Sequence, residues 1–308
     1  MTFQFDFLRW RYYFWGISAV FIGIGIISLA VNGLKYGLDF TGGLSMELDF
    51  SQPVKLADLR QVLEEEGFES VQVSHFGADH LVLVRLPPAP SYLDQNEQSI
   101  TSGILAALER KNLKAQVLQF ESIGPRIGDE LREKGGIAVL VALFGILLYI
   151  TFRFQQKFAL AAVLALFHDV VFVLGIFALL GLNFDLTVLA AILALIGYSL
   201  NDTIVVCDRI RSNMLKLRGR DTYNVLNISL NQTLARTLVT SLTTLLVLLC
   251  LRFLGGAALQ GFSTTLIVGV VVGTYSSIYI ASTALLLLRL TSADLMPKER
   301  DPEEEVNQ

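Results

Sequence analysis

Cysteine, histidine and charge are all scarce in this chain. Of its 308 residues, two are cysteines and three are histidines, and Asp, Glu, Lys and Arg together make up 17%. Cys207 and Cys250 lie in or at the end of hydrophobic runs and lack metal-ligand spacing. They read as buried apolar side chains, imply no disulfide framework and leave the redox compartment open. No nucleophile–base–acid set, metal cluster or nucleotide loop can be traced. YGLDFTGG (Tyr36 to Gly43) has paired glycines but no lysine, so Gly42 and Gly43 read as backbone turn residues. An ATPase or hydrolase is therefore unsupported. No enzymatic activity, metal, organic cofactor or nucleic-acid partner is expected.

Long hydrophobic runs, by contrast, are abundant. The chain is 53% hydrophobic with a mean hydropathy of +0.56, a composition of polytopic membrane proteins. The net charge of −4 says little as a sum, because the charges are segregated by segment. Six candidate spans follow, at 12–31, 137–152, 158–180, 186–207, 234–254 and 261–288. The first is preceded by Arg9 and Arg11 and carries an aromatic collar of Trp10, Tyr12, Tyr13 and Trp15. Its SLAVNG end is a poor cleavage site, so a retained signal anchor is expected.

Basic residues fix the orientation. Arg153 and Lys157 flank one turn, five basic residues from Arg209 to Arg220 lie in the 208–233 loop, and Arg289, Lys298 and Arg300 follow the last span. The alternate loops hold only Arg252. The positive-inside rule then puts residues 1–11 and the tail 289–308 in the cytoplasm and residues 32–136 outside. DPEEEVNQ at the end reads as an acidic, disordered tail.

The outer segment is hydrophilic, with 16 Asp and Glu against 10 Lys and Arg over 32–134. LSMELDF alternates as a half-buried strand does. Lys55 to Gly67 is a helix with Leu56, Leu59 and Leu63 on one face. SVQVSHF and HLVLVRL are two strands joined by a Gly-Ala-Asp turn, Leu93 to Lys111 is a second helix, and AQVLQFESI is a last strand. The order β-α-β-β-α-β is that of a ferredoxin-like α+β domain. The charged stretch Ile123 to Gly136 suits a connecting helix at the membrane interface, as do Asn227, Asn231 and Gln232 before the fifth span.

Polar residues inside the spans are the candidate site. Asp202 lies in the fourth span about five residues, ~8 Å, from its inner end, where an ionised carboxylate costs on the order of 3 kcal/mol. Arg236, near the inner beginning of the antiparallel fifth span, is its expected ion-pair partner. Asn201, Thr203 and Tyr198 would supply further hydrogen-bonding groups around it. A static salt bridge remains the bland alternative. In the third span His168 and Asp169 are adjacent; at ~100° apart they cannot both face one neighbour, but they can share a cavity. A buried carboxylate there can take up a proton, while the His can equally be a packing residue. Gly269 and Gly273 in GVVVG form a small-xxx-small packing face, continued by Ser276 and Ser277.

Taken together, YGLDFTGG, SIGPRIGDELREKG, FHD, GYSLNDTIVVCDRIR and QTLARTLVTSLTTL, in this order, resemble the SecF family of bacterial protein-export membrane proteins. The resemblance covers the whole chain, with departures confined to ordinary apolar exchanges and the tail. It implies a partnership with SecD in a twelve-span assembly related to the resistance-nodulation-division transporters. It also implies action beside the SecYEG translocon, with SecA on the cytoplasmic side, on an exported unfolded polypeptide. The proton-motive force would drive it, with protons as the coupling ion and the bacterial inner membrane as the site. Residue by residue, the resemblance carries a proton-pathway role onto Asp202 and Arg236 and, more weakly, onto Asp169. Two other readings stay open: a proton-coupled half-transporter of small solutes, and an assembly subunit whose charges only stabilise packing.

Overall fold

Among the described residues of the computed structural model (5–68, 70–76, 78–88 and 97–295) six helical stretches are long and apolar enough to cross a membrane. Each owes its limits to identifiable residues. Helix α1 (Arg11–Val31) spans ~31 Å at 1.5 Å per residue. It is followed by the short strand β1 (Lys35–Tyr36) and a single turn, α2 (Leu38–Thr41). Gly42 and Gly43, at φ 70° and 119°, then turn the chain into a four-stranded α/β domain, a conformation that L side chains rarely adopt.

The domain runs β2 (Gly43–Phe50), α3 (Leu56–Glu65), β3 (Gln72–Phe76), β4 (Ala78–Leu86), α4 (Glu97–Arg110) and β5 (Ala115–Ile123). Its four strands form one sheet in the order β3-β4-β2-β5, every neighbour antiparallel. The expected turn lies partly outside the described residues, since Gly77 is not among them; Ala78 and Asp79 already belong to β4. The expected start of the second helix, 93–96, also lies outside them. Leu48, Leu59, Leu63, Val82, Ile104 and Leu108 are fully buried in a core made only of this domain's residues. β2 pairs with both β4 and β5 and is thus a central strand; its first residue, Gly43, is registered against Ile123, the last of β5.

Helix α5 (Pro125–Arg153) starts with proline at a position where no amide is needed. It includes the charged stretch expected to lie at the interface as a separate helix; apolar residues follow without a helix breaker, so one helix continues. Helix α6 (Gln156–Leu180) ends on Gly181 in the left-handed conformation. Strand β6 (Asn183–Phe184) pairs in parallel with β1, Lys35 opposite Asn183 and Tyr36 opposite Phe184. Helix α7 (Leu186–Lys216) is capped by Asp185, whose Oδ1 accepts from the Val188 amide at 2.9 Å. Helix α8 (Thr222–Leu254) absorbs the segment expected to be a separate amphipathic helix. There Asn231 and Asn227 accept from the Phe5 and Phe7 amides at 2.8 and 2.9 Å, which clips the N-terminal segment to α8. Helix α9 (Gly256–Ser276) passes through a π-helical stretch, Ser277–Ala281, into α10 (Ser282–Leu287).

Small residues set the helix crossings. A Cβ on Gly175 of α6 would stand 2.6 Å from the Gly25 Cα of α1, so these backbones touch. On α9, a Cβ on Gly273 would stand 3.2 Å from the Ser199 Cβ of α7, and one on Gly269 would overlap Leu195. Apolar side chains gain nothing from leaving lipid for protein, so close backbone approach of this kind supplies the contact between membrane helices.

Candidate functional site

The most closely knit polar group in the bundle surrounds Asp169, which is fully buried, and His168, at 7% exposure. The His168 Nδ1 and Asp169 Oδ1 lie 2.9 Å apart. Their side chains nevertheless reach different helices, as the 100° step between adjacent residues requires. Asp169 Oδ2 accepts from Ser199 Oγ of α7 and, at 2.8 Å, from Ser276 Oγ of α9. His168 Nε2 stands 3.1 Å from Ser18 Oγ of α1, and Ser18 Oγ 2.7 Å from Tyr275 Oη.

The hydrogens of this chain can be counted. The Tyr275 hydroxyl donates its only hydrogen to the Phe14 carbonyl at 2.6 Å. Ser18 must then donate to Tyr275, and His168 Nε2 must donate to Ser18. Nε2 therefore carries a hydrogen, and the short Nδ1···Oδ1 contact needs another. One proton is held between His168 and Asp169, as imidazolium beside carboxylate or as neutral imidazole beside carboxylic acid. Four helices converge on this pair. Trp15 Nε1 of α1 adds a bond to the Tyr279 carbonyl at 3.2 Å, a group within the π-helical stretch. Such stretches recur at functional positions because they break the regular ladder.

Asp202 has the opposite character. It is buried, at 4% exposure, yet its Oδ2 has no hydrogen-bond partner. The expected ion pair is not closed: no Arg236 nitrogen lies within 4.0 Å of its carboxylate among the described salt bridges. Arg236 is the charge that acts on Asp202, but its side chain is on the exposed face of α8. A long cationic side chain reaches towards water rather than fold back into the bundle. The expected ring of helpers also differs. Asn201 is exposed, Thr203 is buried, and neither has a hydrogen bond to Asp202. Tyr198, one turn earlier on α7, has a buried hydroxyl without a partner, as does Thr237 beside Arg236. Unsatisfied polar groups are unusual in a native interior, and here three lie on two packed helices. Among the described residues no three His, Cys, Asp or Glu side chains gather as a metal site would require.

Sequence reasoning singled out His168, Asp169, Asp202, Arg236 and the two glycines of α9. It missed Ser18, Ser199 and Tyr275 as partners, and it saw Ser276 only as a packing residue. Serine in a membrane helix carries no local signature, since it bonds its own preceding turn as readily as a neighbour.

Residues 104–291 match the family described as protein export membrane protein SecD/SecF, C-terminal, and residues 27–54 match the SecD/SecF GG motif. The protein translocase subunit SecF of Escherichia coli O157:H7 is 42% identical over 300 residues, 97% of this chain and 92% of that protein. The SecF subunit of Pseudomonas aeruginosa is 45% identical over 296 residues, 96% of this chain and 94% of its own length. The crystal structure of SecDF from Thermus thermophilus, a translocon-associated membrane protein, superposes with a TM-score of 0.83 at 41% identity, over 93% of this chain. A super-membrane-facing form of SecDF gives 0.69 at 40% identity, over 94%. This chain spans 39% of the SecDF polypeptide in either structure. The family model covers more than half of the chain and the relatives nearly all of it, and the chain belongs to the SecD/SecF family of protein-export membrane proteins.

Proposed function

We propose that this chain is the SecF-type half of a SecDF assembly in the bacterial inner membrane. It couples inward proton movement to outward movement of a polypeptide being exported through SecYEG under the action of SecA. In this reading both termini are cytoplasmic, and the four-stranded unit is a ferredoxin-like domain on the outer side. SecD supplies the other six spans. Family membership supports the translocation role, and the basic loops support the orientation.

The observation that carries the coupling is the Asp202 carboxylate. It is buried in a membrane-length helix, its Oδ2 is unpartnered, and Arg236 acts on it without contact. A carboxylate locked in a salt bridge would resist protonation; this one is held open. Proton uptake neutralises it, removes its attraction to Arg236 and shifts the balance between two packings of α7 against α8. One proton crossing ~150 mV supplies roughly 3.5 kcal/mol, enough to bias such a balance a few hundredfold. The hydrogen-bonded His168–Asp169 pair is a second polar site in the same bundle.

The test is export of a secreted reporter into sealed vesicles carrying Asp202→Asn or Arg236→Ala, with and without an imposed proton gradient. Abundance and partner association are measured alongside. The reading expects loss of the gradient-dependent part with the complex intact. Full stimulation in Asp202→Asn would return both residues to a structural role.

A further inference from the structure

The head of α7 is fastened by two carboxylates of different origin. Asp185 accepts from Val188 N and from Thr187 Oγ1, at 2.9 and 2.7 Å, and that alone is a sufficient cap. The second is Asp39 of the YGLDFTGG stretch, 147 positions earlier, whose Oδ2 accepts from the Leu186 amide at 2.8 Å. A second cap adds little to a helix that already has one; this one joins two distant elements.

Everything around Asp39 reinforces that junction. The Gly37 amide donates to the Phe184 carbonyl at 2.7 Å directly after the parallel β1–β6 pair. Phe40 stacks on Phe184 with ring centres 5.8 Å apart, and it is buried in the core that contains Val188 and Ile192 of α7. A Cβ on Gly128 of α5 would lie 2.9 Å from the Gly42 amide, so α5 closes over the stretch from the other side. Beyond Gly43 the chain is already β2, a central strand of the outer sheet. In the opposite direction Asp202 lies ~24 Å down the same unbroken helix.

We propose that Asp39 is a positioning residue. Through it the outer domain grips the head of α7, so that displacement of the helix carrying Asp202 passes straight into β2. The inference rests on the proposed coupling role of Asp202. It gives the membrane helices a hold on the outer sheet in addition to the covalent passage from β5 into α5.

The test uses the full chain with its SecD-type partner in sealed vesicles, in a background carrying Cys207→Ser and Cys250→Ser. Asp39→Ala should leave gradient-independent export within twofold of the parent and reduce the gradient-dependent increment at least fivefold. Adding Lys35→Cys and Asn183→Cys, at paired positions of β1 and β6, and oxidising them should restore at least half of the increment. Reduction in the same vesicles should abolish it again. If Asp39→Ala accumulates only when cross-linked, the oxidised and reduced states of that triple variant give the same comparison. An increment unchanged by Asp39→Ala, or equal in the oxidised and reduced states, overturns the proposal. Asp202→Asn is run in parallel: full stimulation there defeats the coupling reading itself, whereas loss there with full stimulation in Asp39→Ala defeats only the role of Asp39.

Discussion

At the residue scale the two buried carboxylates of the bundle are built for different work. Asp169 is saturated, with Ser199, Ser276 and His168 all directed at it; Asp202 has an oxygen with no partner. Asp169→Ala leaves the Ser199 hydroxyl and the His168 ring without their partner, while Ser276 keeps the Gly273 carbonyl at 3.1 Å. At about 1–3 kcal/mol for each unsatisfied buried group, it should cost about 2 kcal/mol or more, read as a lower unfolding midpoint of the purified chain in detergent. Asp202→Asn should leave that midpoint unchanged or raise it slightly, because a buried charge is removed and no bond to Oδ2 is lost. Equal losses for the two would mean that Asp202 has a partner after all. The existence of both carboxylates was legible in the sequence, since an ionisable residue within an apolar run stands out whatever the fold. Their difference was not. It depends on where neighbouring hydroxyls point, and on Arg236 facing outward rather than inward.

At the scale of elements, α1 meets α6 through a pair of glycines that no periodicity singles out, because Gly25 has Gly16 and Gly23 as neighbours on the same helix. Only the contact separates them: a Cβ on Gly175 meets the backbone of Gly25 at 2.6 Å, while one on Gly16 meets nothing within 4 Å. Gly175→Ala should therefore push α1 off α6 and destabilise the bundle by about 1–3 kcal/mol. It should also loosen Ser18 from His168. Gly16→Ala should be neutral or stabilising through helix propensity, a contrast measurable by unfolding in detergent. GVVVG was legible as a packing face and does meet α7 at Leu195 and Ser199. The β1–β6 pair was not legible, since strands of two residues are too short for alternation to show. The continuity of the interfacial segments with α5 and α8 is hidden in the sequence for a related reason. Charge patterning marks where a helix leaves the apolar layer, not where it ends.

At the scale of the molecule one buried core is confined to the four-stranded domain, and the others lie among the long helices. The chain should therefore unfold in two separable steps. Glu47, in β2, tests this. Burial first, and Glu121 second, raise its pKa above the ordinary 4.5. A carboxyl whose folded pKa is raised favours folding while protonated, and that contribution is lost as pH rises through the folded value. Glu47→Gln should thus raise the four-stranded domain's transition at neutral pH, flatten its dependence just above pH 4.5 and leave the helical transition in place. Calorimetry of the whole chain at several pH values would show it, and a shift of both transitions together would refute two independent cores. The layout also bears on how such a chain can change over time. Gly43 and Ile123 are registered side by side where β2 begins and β5 ends, so the chain enters and leaves the four-stranded domain at one place. Everything between them is a nested insertion. It can be lengthened, exchanged or trimmed at little cost to the helices, provided the short stretch ahead of Gly43 keeps its seat on α7.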